Sequence, residues 1–163
     1  LILARTGHAQ QAQNLVEAIG REAPFDTLVQ KYFLPTIHAA IMVNEDNPEG
    51  AIEILRPAEQ YDSAWTHSFD NMYPVYIRGL AYPKLGRGKE AAEQFQKLLD
   101  HPAIVKIKVI GALAHLQLGR ARMMMGDKSA AREAYRTFLT IWKNADPNVP
   151  VYKQAKAECA KLQ

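Results

Sequence analysis

A single cysteine, Cys159, in 163 residues excludes an internal disulfide framework. No apolar run approaches the roughly 18 residues that cross a membrane, and no secretory signal is visible, so insertion into a membrane is not expected. The five histidines, His8, His38, His67, His101 and His115, are scattered. They form no H-E-x-x-H pair and have no cysteine partners at metal-ligand spacing. No serine stands in a G-x-S-x-G elbow, and no G-x-x-x-x-G-K-[ST] phosphate loop is present. These absences predict no catalytic residue, no cofactor and no metal. The basic residues form no dense stripe interleaved with aromatics, which argues against nucleic acid as a partner.

What is present is an ordinary globular composition, 48% hydrophobic and 23% charged. The formal charge of +3 is unevenly spread. Residues 1–83 hold five Lys/Arg against ten Asp/Glu, a net −5, and residues 84–163 hold fifteen against seven, a net +8. Such a dipole steers an acidic partner to the basic end; solvated helix faces that are merely uneven give the same count.

The segment from Val75 to Leu99, VYIRGLAYPKLGRGKEAAEQFQKLL, reads as two antiparallel helices joined at Gly86-Arg87-Gly88. Gly79 and Ala91 are the small residues that let the helices approach, and Tyr82, Phe95 and Leu98 fill the space around them. The pattern recurs with a period of forty residues, once thirty-nine. Gly79 returns as Gly119 and Ala39; Ala91 as Ala131, Ala51 and Ala12; Phe95 as Tyr135, Leu55 and Val16. Leu98 returns as Phe138, Ala58 and Ile19. The turn glycine returns as Gly126 and Gly7, and as Asp46 in the weakest copy. This order of small, aromatic, turn, small, aromatic is the signature of a tetratricopeptide repeat. It predicts an all-α, right-handed superhelical array of antiparallel helix pairs. The period exceeds the usual length of about thirty-four, so the connections between repeats carry the excess.

The expected units are a truncated first repeat over residues 1–25, a second over 26–60, a third over 71–100 and a fourth over 111–143. A capping helix over 149–163 closes the array. Leu1 is not a methionine, and in register LILART is the tail of a helix whose beginning is missing, so the chain reads as a piece of a longer protein. Ala12, Leu15, Val16 and Ile19 are expected to form one buried stripe. Asp26, Asn47 and Asp127 are expected N-caps. Pro35 should kink its helix or mark its first turn, and Pro83 should end its helix a turn early or bend it. Gly119 is expected to need close helix approach, whereas Gly88 is assigned to the turn alone. Trp65 and Phe69 are expected to pack down on the array. The stretch AIVKIKVI, Ala103 to Ile110, alternates like a strand but has no partner strand, and is expected to be an extended connection or a lead-in to the next helix. Tyr152, Ala155, Cys159 and Leu162 form the apolar face of the final helix, which makes Cys159 a small hydrophobe.

In such an array the first helix of each pair lines the concave side. This selects Phe33, Thr36, Ala40, Val43 and Asn44, then Tyr73, Tyr76, Leu80 and Lys84, then Leu113, Leu116, Arg120, Met123 and Met124 as candidate binding residues. The mix suits a peptide or an extended protein segment. Residues 61–72, or the missing part of the chain, are competing occupants of the same groove. Tyr76 and Arg120 are expected to bind without holding helices together. Met123, Met124 and Met125 sweep most of a turn, so at least one must leave the core and offer an adaptable contact.

Three segments, YFLPTIHAAI, VYIRGLAY…AAEQFQKLLDH and GALAHLQLGRA…FLTIWKNADPNVPVYKQAKAECAKLQ, together resemble the C-terminal tetratricopeptide region of bacterial serine/threonine protein kinases. The resemblance implies an upstream kinase domain. None of the kinase motifs is in this chain, so no catalytic role is carried over. The resulting expectation is a non-catalytic scaffold that binds a protein or peptide partner. The alternative is self-association through the complementary acidic and basic ends. A cytoplasmic location is favoured, or an extracytoplasmic one if a spanning helix lies upstream.

Overall fold

The computed structural model describes residues 1–63, 72–105 and 108–162. Among them every regular element is helical. In chain order these are α1 (Ile2–Arg5), α2 (Ala9–Glu22), α3 (Leu34–Asn44), α4 (Pro48–Ile54), α5 (Tyr73–Ala81), α6 (Gly88–Leu99), α7 (Pro102–Val105), α8 (Val109–Met124), α9 (Lys128–Ile141) and α10 (Pro150–Ala160). Helices α1/α2, α3/α4, α5/α6 and α8/α9 pair, and α10 packs on α9. The chain is a tetratricopeptide-like array of antiparallel helix pairs.

The turns within the pairs explain the period most directly. Gly7, Asp46, Gly86 and Gly126 all have positive φ, at 83°, 61°, 70° and 77°. A left-handed residue reverses the chain in the least length, and glycine does so without a Cβ clash. Asp46 is tolerated there because a short polar side chain visits this region more readily than most. Two expected caps follow these turns. Asn47 Oδ1 accepts from the Gly50 N–H and Asp127 Oδ1 from that of Ala130, each at 3.0 Å. Asp26 Oδ1 accepts from the Val29 N–H at 2.9 Å.

The small residues at the helix contacts are buried, with Ala39, Ala51, Ala91 and Ala131 fully inaccessible. A Cβ on Gly79 would stand 2.7 Å from two ring carbons of Phe95, and one on Gly119 would stand 3.3 Å from the ring of Tyr135. Gly88 does more than turn the chain. Its Cβ would meet Met124 Cβ at 2.9 Å and the Ala121 carbonyl at 3.2 Å. It is therefore also a contact between α6 and α8, contrary to the reading from sequence.

Proline sets the helix ends. Before Pro35 the chain takes a wide π turn over Val29–Phe33, closed by the Leu34 N–H on the Val29 carbonyl. The wider turn accommodates a ring that would otherwise clash with the carbonyl four residues back. After α4 the chain tightens to a 3₁₀ segment, Arg56–Tyr61, with Pro57 near its start. Helix α5 likewise gives way to a 3₁₀ turn, Tyr82–Leu85, at Pro83. Of the stretch expected to be an extended connection or a lead-in to the next helix, the first part is helical, in Pro102–Val105, and residues 106–107 lie outside the described residues. Lys108 is extended and leads into α8. Trp65, His67 and Phe69 lie outside the described residues.

One apolar core runs from Ala4 through the central pair to Ala134. A second, built on Leu116, Tyr135 and Phe138, is covered by Tyr152, Ala155, Cys159 and Leu162 of α10. The stripe expected on α2 is only half correct. Ala12 and Val16 are buried, but Leu15 and Ile19 are 53% and 39% exposed. Helix α2 packs on α1 and α3, and its Leu15 edge turns outward from both. A buried ionic cluster joins the central pair to the preceding 3₁₀ segment. Asp62 accepts from the Arg78 guanidinium, and Lys97 Nζ lies 2.9 Å from the same carboxylate oxygen.

Candidate functional site

Three of the candidate binding residues come together. Phe33 and Thr36 of the segment around α3, and Tyr73 at the start of α5, line an apolar cavity of about 290 Å³ with Leu1, Ile19 and Ile37. The sequence positions these groups through the turns just described. The π turn before Pro35 rotates Phe33 relative to an unbroken helix. Its ring stands edge-on to Tyr32, with centroids 5.3 Å apart. Tyr32 in turn fixes the entry of α5, because its hydroxyl oxygen accepts from the Met72 N–H at 2.8 Å. Thr36 is 4% exposed, and its hydroxyl donates to the Tyr32 carbonyl. Thr36 thus supplies a methyl-bearing wall with its polar atom already satisfied. Ile19, which sequence periodicity had placed in the core, borders this cavity. No helical pattern could show that, because the opening depends on how α2 and α3 pack.

The remaining candidates are placed elsewhere. Tyr76 and Leu116 are buried, at 1% and 0% exposure. The Arg5 guanidinium lies over the Tyr76 ring at 5.1 Å. Burial pushes the Tyr76 hydroxyl up from its ordinary value, partly offset by Arg5 and Gln117. Arg120 is bound to the capping helix by two parallel bonds, Nε to Glu158 Oε2 at 2.9 Å and Nη2 to Oε1 at 2.7 Å. Burial raises the Glu158 carboxyl, but bonds from Arg120 and Tyr135 outweigh it and hold the group below the usual carboxylate range. Tyr76 and Arg120 therefore both hold helices together, which corrects the expectation that they bind without structural duty. Their long-range partners, Arg5 and Glu158, carry no local sequence signal.

Lys84 pairs with Asp46 at 2.8 Å across two repeats. Leu80 and Leu113 are half-buried, and Leu113 touches both cores. Ala40 and Val43 are buried, and Asn44 donates through Nδ2 to the Ala4 carbonyl at 2.6 Å. Met123 packs on the second core, while Met124 and Met125 are 46% and 44% exposed. Among the described residues no three His, Cys, Asp or Glu side chains group to hold a metal ion, and no helix is long and apolar enough to cross a membrane.

Comparison with known proteins agrees with the repeat geometry. Residues 113–145, which take in most of α8 and all of α9, match the family model for the tetratricopeptide repeat. A stretch of 75 residues is 37% identical to part of the tetratricopeptide repeat and J domain-containing co-chaperone DNJ1 of Fusarium oxysporum f. sp. lycopersici. The match takes in 46% of this chain and 13% of that protein. No solved structure matches. The matched repeat is of a kind that suggests a protein-interaction scaffold.

Proposed function

We infer that the chain is a non-catalytic scaffold that holds a segment of a partner protein, with the cavity beside Phe33 and Tyr73 receiving a large apolar side chain. The observation that carries this reading is the cavity itself. It opens between α2, the segment leading into α3, and the start of α5; its walls are mostly apolar, and the Tyr32 and Thr36 hydroxyls are engaged. Aromatic and aliphatic anchors in desolvated pockets dominate the energetics of such contacts. The co-chaperone relative joins such repeats to a J domain, and the closing segment of this chain resembles repeats that follow bacterial kinases. Neither context is needed for the binding role, and neither comparison contains a kinase.

The test is selection from a displayed random-peptide library on the purified protein, followed by titration of the selected peptides against Phe33→Ala and Ile37→Ala. The expected peptides carry a bulky apolar residue and weaken at least about tenfold, near 1.4 kcal/mol, on either variant. Peptides without an apolar anchor, or with unchanged affinity for both variants, would refute the cavity as the binding site.

A further inference from the structure

Phe25 is 96% exposed, more than any other large apolar side chain among the described residues. It stands in the connection Glu22-Ala23-Pro24-Phe25-Asp26 between α2 and α3, with the exposed carboxylates Glu22 and Asp26 on either side. The loop is held in place. Pro24 restricts it, and Asp26 is fixed by its bond to the Val29 N–H. A solvated phenyl ring between two acids, on a backbone restrained on both sides, is available to a partner surface.

Two repeat periods further on lies a groove of about 510 Å³. Its walls include Leu99, Val105, Val109, Ala112, Ile141 and Trp142. Val109 occupies the repeat position of Val29, and Leu99 follows Leu98, the counterpart of Ile19, so a comparable cleft opens here with different neighbours. Val109 and Ile141 are 48% and 52% exposed. Among the described residues no carboxylate lines this groove, whereas Lys108 does. The N-terminus of α8 enters it with no side-chain cap and no acidic residue in its first turn. The positive end of that helix is therefore not countered by any acid of its own.

We propose that this groove receives Phe25 of a second copy of the chain, in a two-fold dimer that makes the contact twice. Helix direction alternates along the array, so the α2–α3 connection and the groove at the start of α8 lie on the same edge. A two-fold axis lying in the interface, perpendicular to the line that joins the two features, sets each Phe25 against the other copy's groove. It also lays the half with net charge −5 along the half with +8. A single copy cannot make the contact with itself, because the packed helices α3 to α6 lie between the two features. Each phenyl ring buries about 150–250 Å², so two such contacts fall short of a standard interface. The dimer is correspondingly weak, concentration-dependent and sensitive to salt.

Sedimentation equilibrium over a concentration series, at low and high salt, tests the proposal on the full chain. The wild type should show a monomer–dimer equilibrium that salt weakens. Phe25→Ser should raise the dimer dissociation constant at least about tenfold, with unchanged circular dichroism because the side chain is outside the fold. Ile141→Asp should do the same from the groove side. A synthetic peptide of residues 21–28 should compete for the groove, and the same peptide with Phe25→Ala should not. A wild type that sediments as a monomer throughout overturns the proposal, as does a Phe25→Ser variant that dimerises like wild type. If the peptide binds but the protein stays monomeric, the groove takes a foreign segment and the assignment to a second copy fails. Neither Phe33 nor Tyr73 takes part, so this outcome is independent of the cavity beside α3.

Discussion

Gly79→Ala isolates the close approach of α5 and α6. The added methyl carbon would lie 2.7 Å from two ring carbons of Phe95. That ring is fully buried and stands against Tyr76, with centroids 5.9 Å apart. It therefore cannot swing aside into solvent. Two terms oppose each other. Alanine is the better helix former by about 0.8–1 kcal/mol, and overpacking a filled site costs about 1–3 kcal/mol. The contact wins, leaving Gly79→Ala less stable by on the order of 1 kcal/mol. Gly119→Ala is the internal control. There the nearest atoms are 3.3 Å away, a distance that a shift of a few tenths of an ångström relieves. Propensity and crowding then nearly cancel. The measurement is urea unfolding followed by far-UV circular dichroism, with equal slopes for all variants as the check on two-state behaviour. Phe95→Leu in the Gly79→Ala background should recover part of the loss. The resulting coupling energy is about 1 kcal/mol, of the sign expected for residues in contact. A Gly79→Ala protein as stable as the Gly119→Ala protein, or strict additivity with Phe95→Leu, would refute the claimed contact.

Two further outcomes follow from the paired charges. Asp62→Ala should lower stability by about 3–5 kcal/mol, because it strands the buried Arg78 guanidinium; Asp62→Leu with Arg78→Met should recover most of that in the same urea assay, and a double variant as unstable as the single would contradict the desolvation argument. At the cap, the folded-state carboxyl of Glu158 is depressed by Arg120 and Tyr135 against the opposing effect of burial, so its contribution is full above the ordinary glutamate range and is lost as pH falls through the depressed value. Glu158→Gln should flatten the acid limb of the stability–pH profile, and an unchanged limb would show that the Arg120 pair does not stabilise the cap.

The repeat was legible in the chain because its causes are local. A left-handed turn residue, two small residues and an aromatic at helical spacing are each required where two helices meet at close range. Hence Gly7, Asp46, Gly86 and Gly126 could be aligned before any contact was known. The apolar face of α10 was legible for the same reason, since Tyr152, Ala155, Cys159 and Leu162 keep helical spacing. What periodicity could not supply was the second partner of each residue. Ile19 has the spacing of a core residue, yet the way α2 lies on α3 leaves it at the mouth of a cavity. Tyr76 and Arg120 have the spacing of groove residues, yet Arg5 and Glu158 arrive from other repeats and engage them. Gly88 looked like a turn glycine until α8 was laid against it. The fold followed from contacts between residues a few positions apart. The site depended on contacts between elements some forty residues apart, which are fixed only when the helix pairs stack.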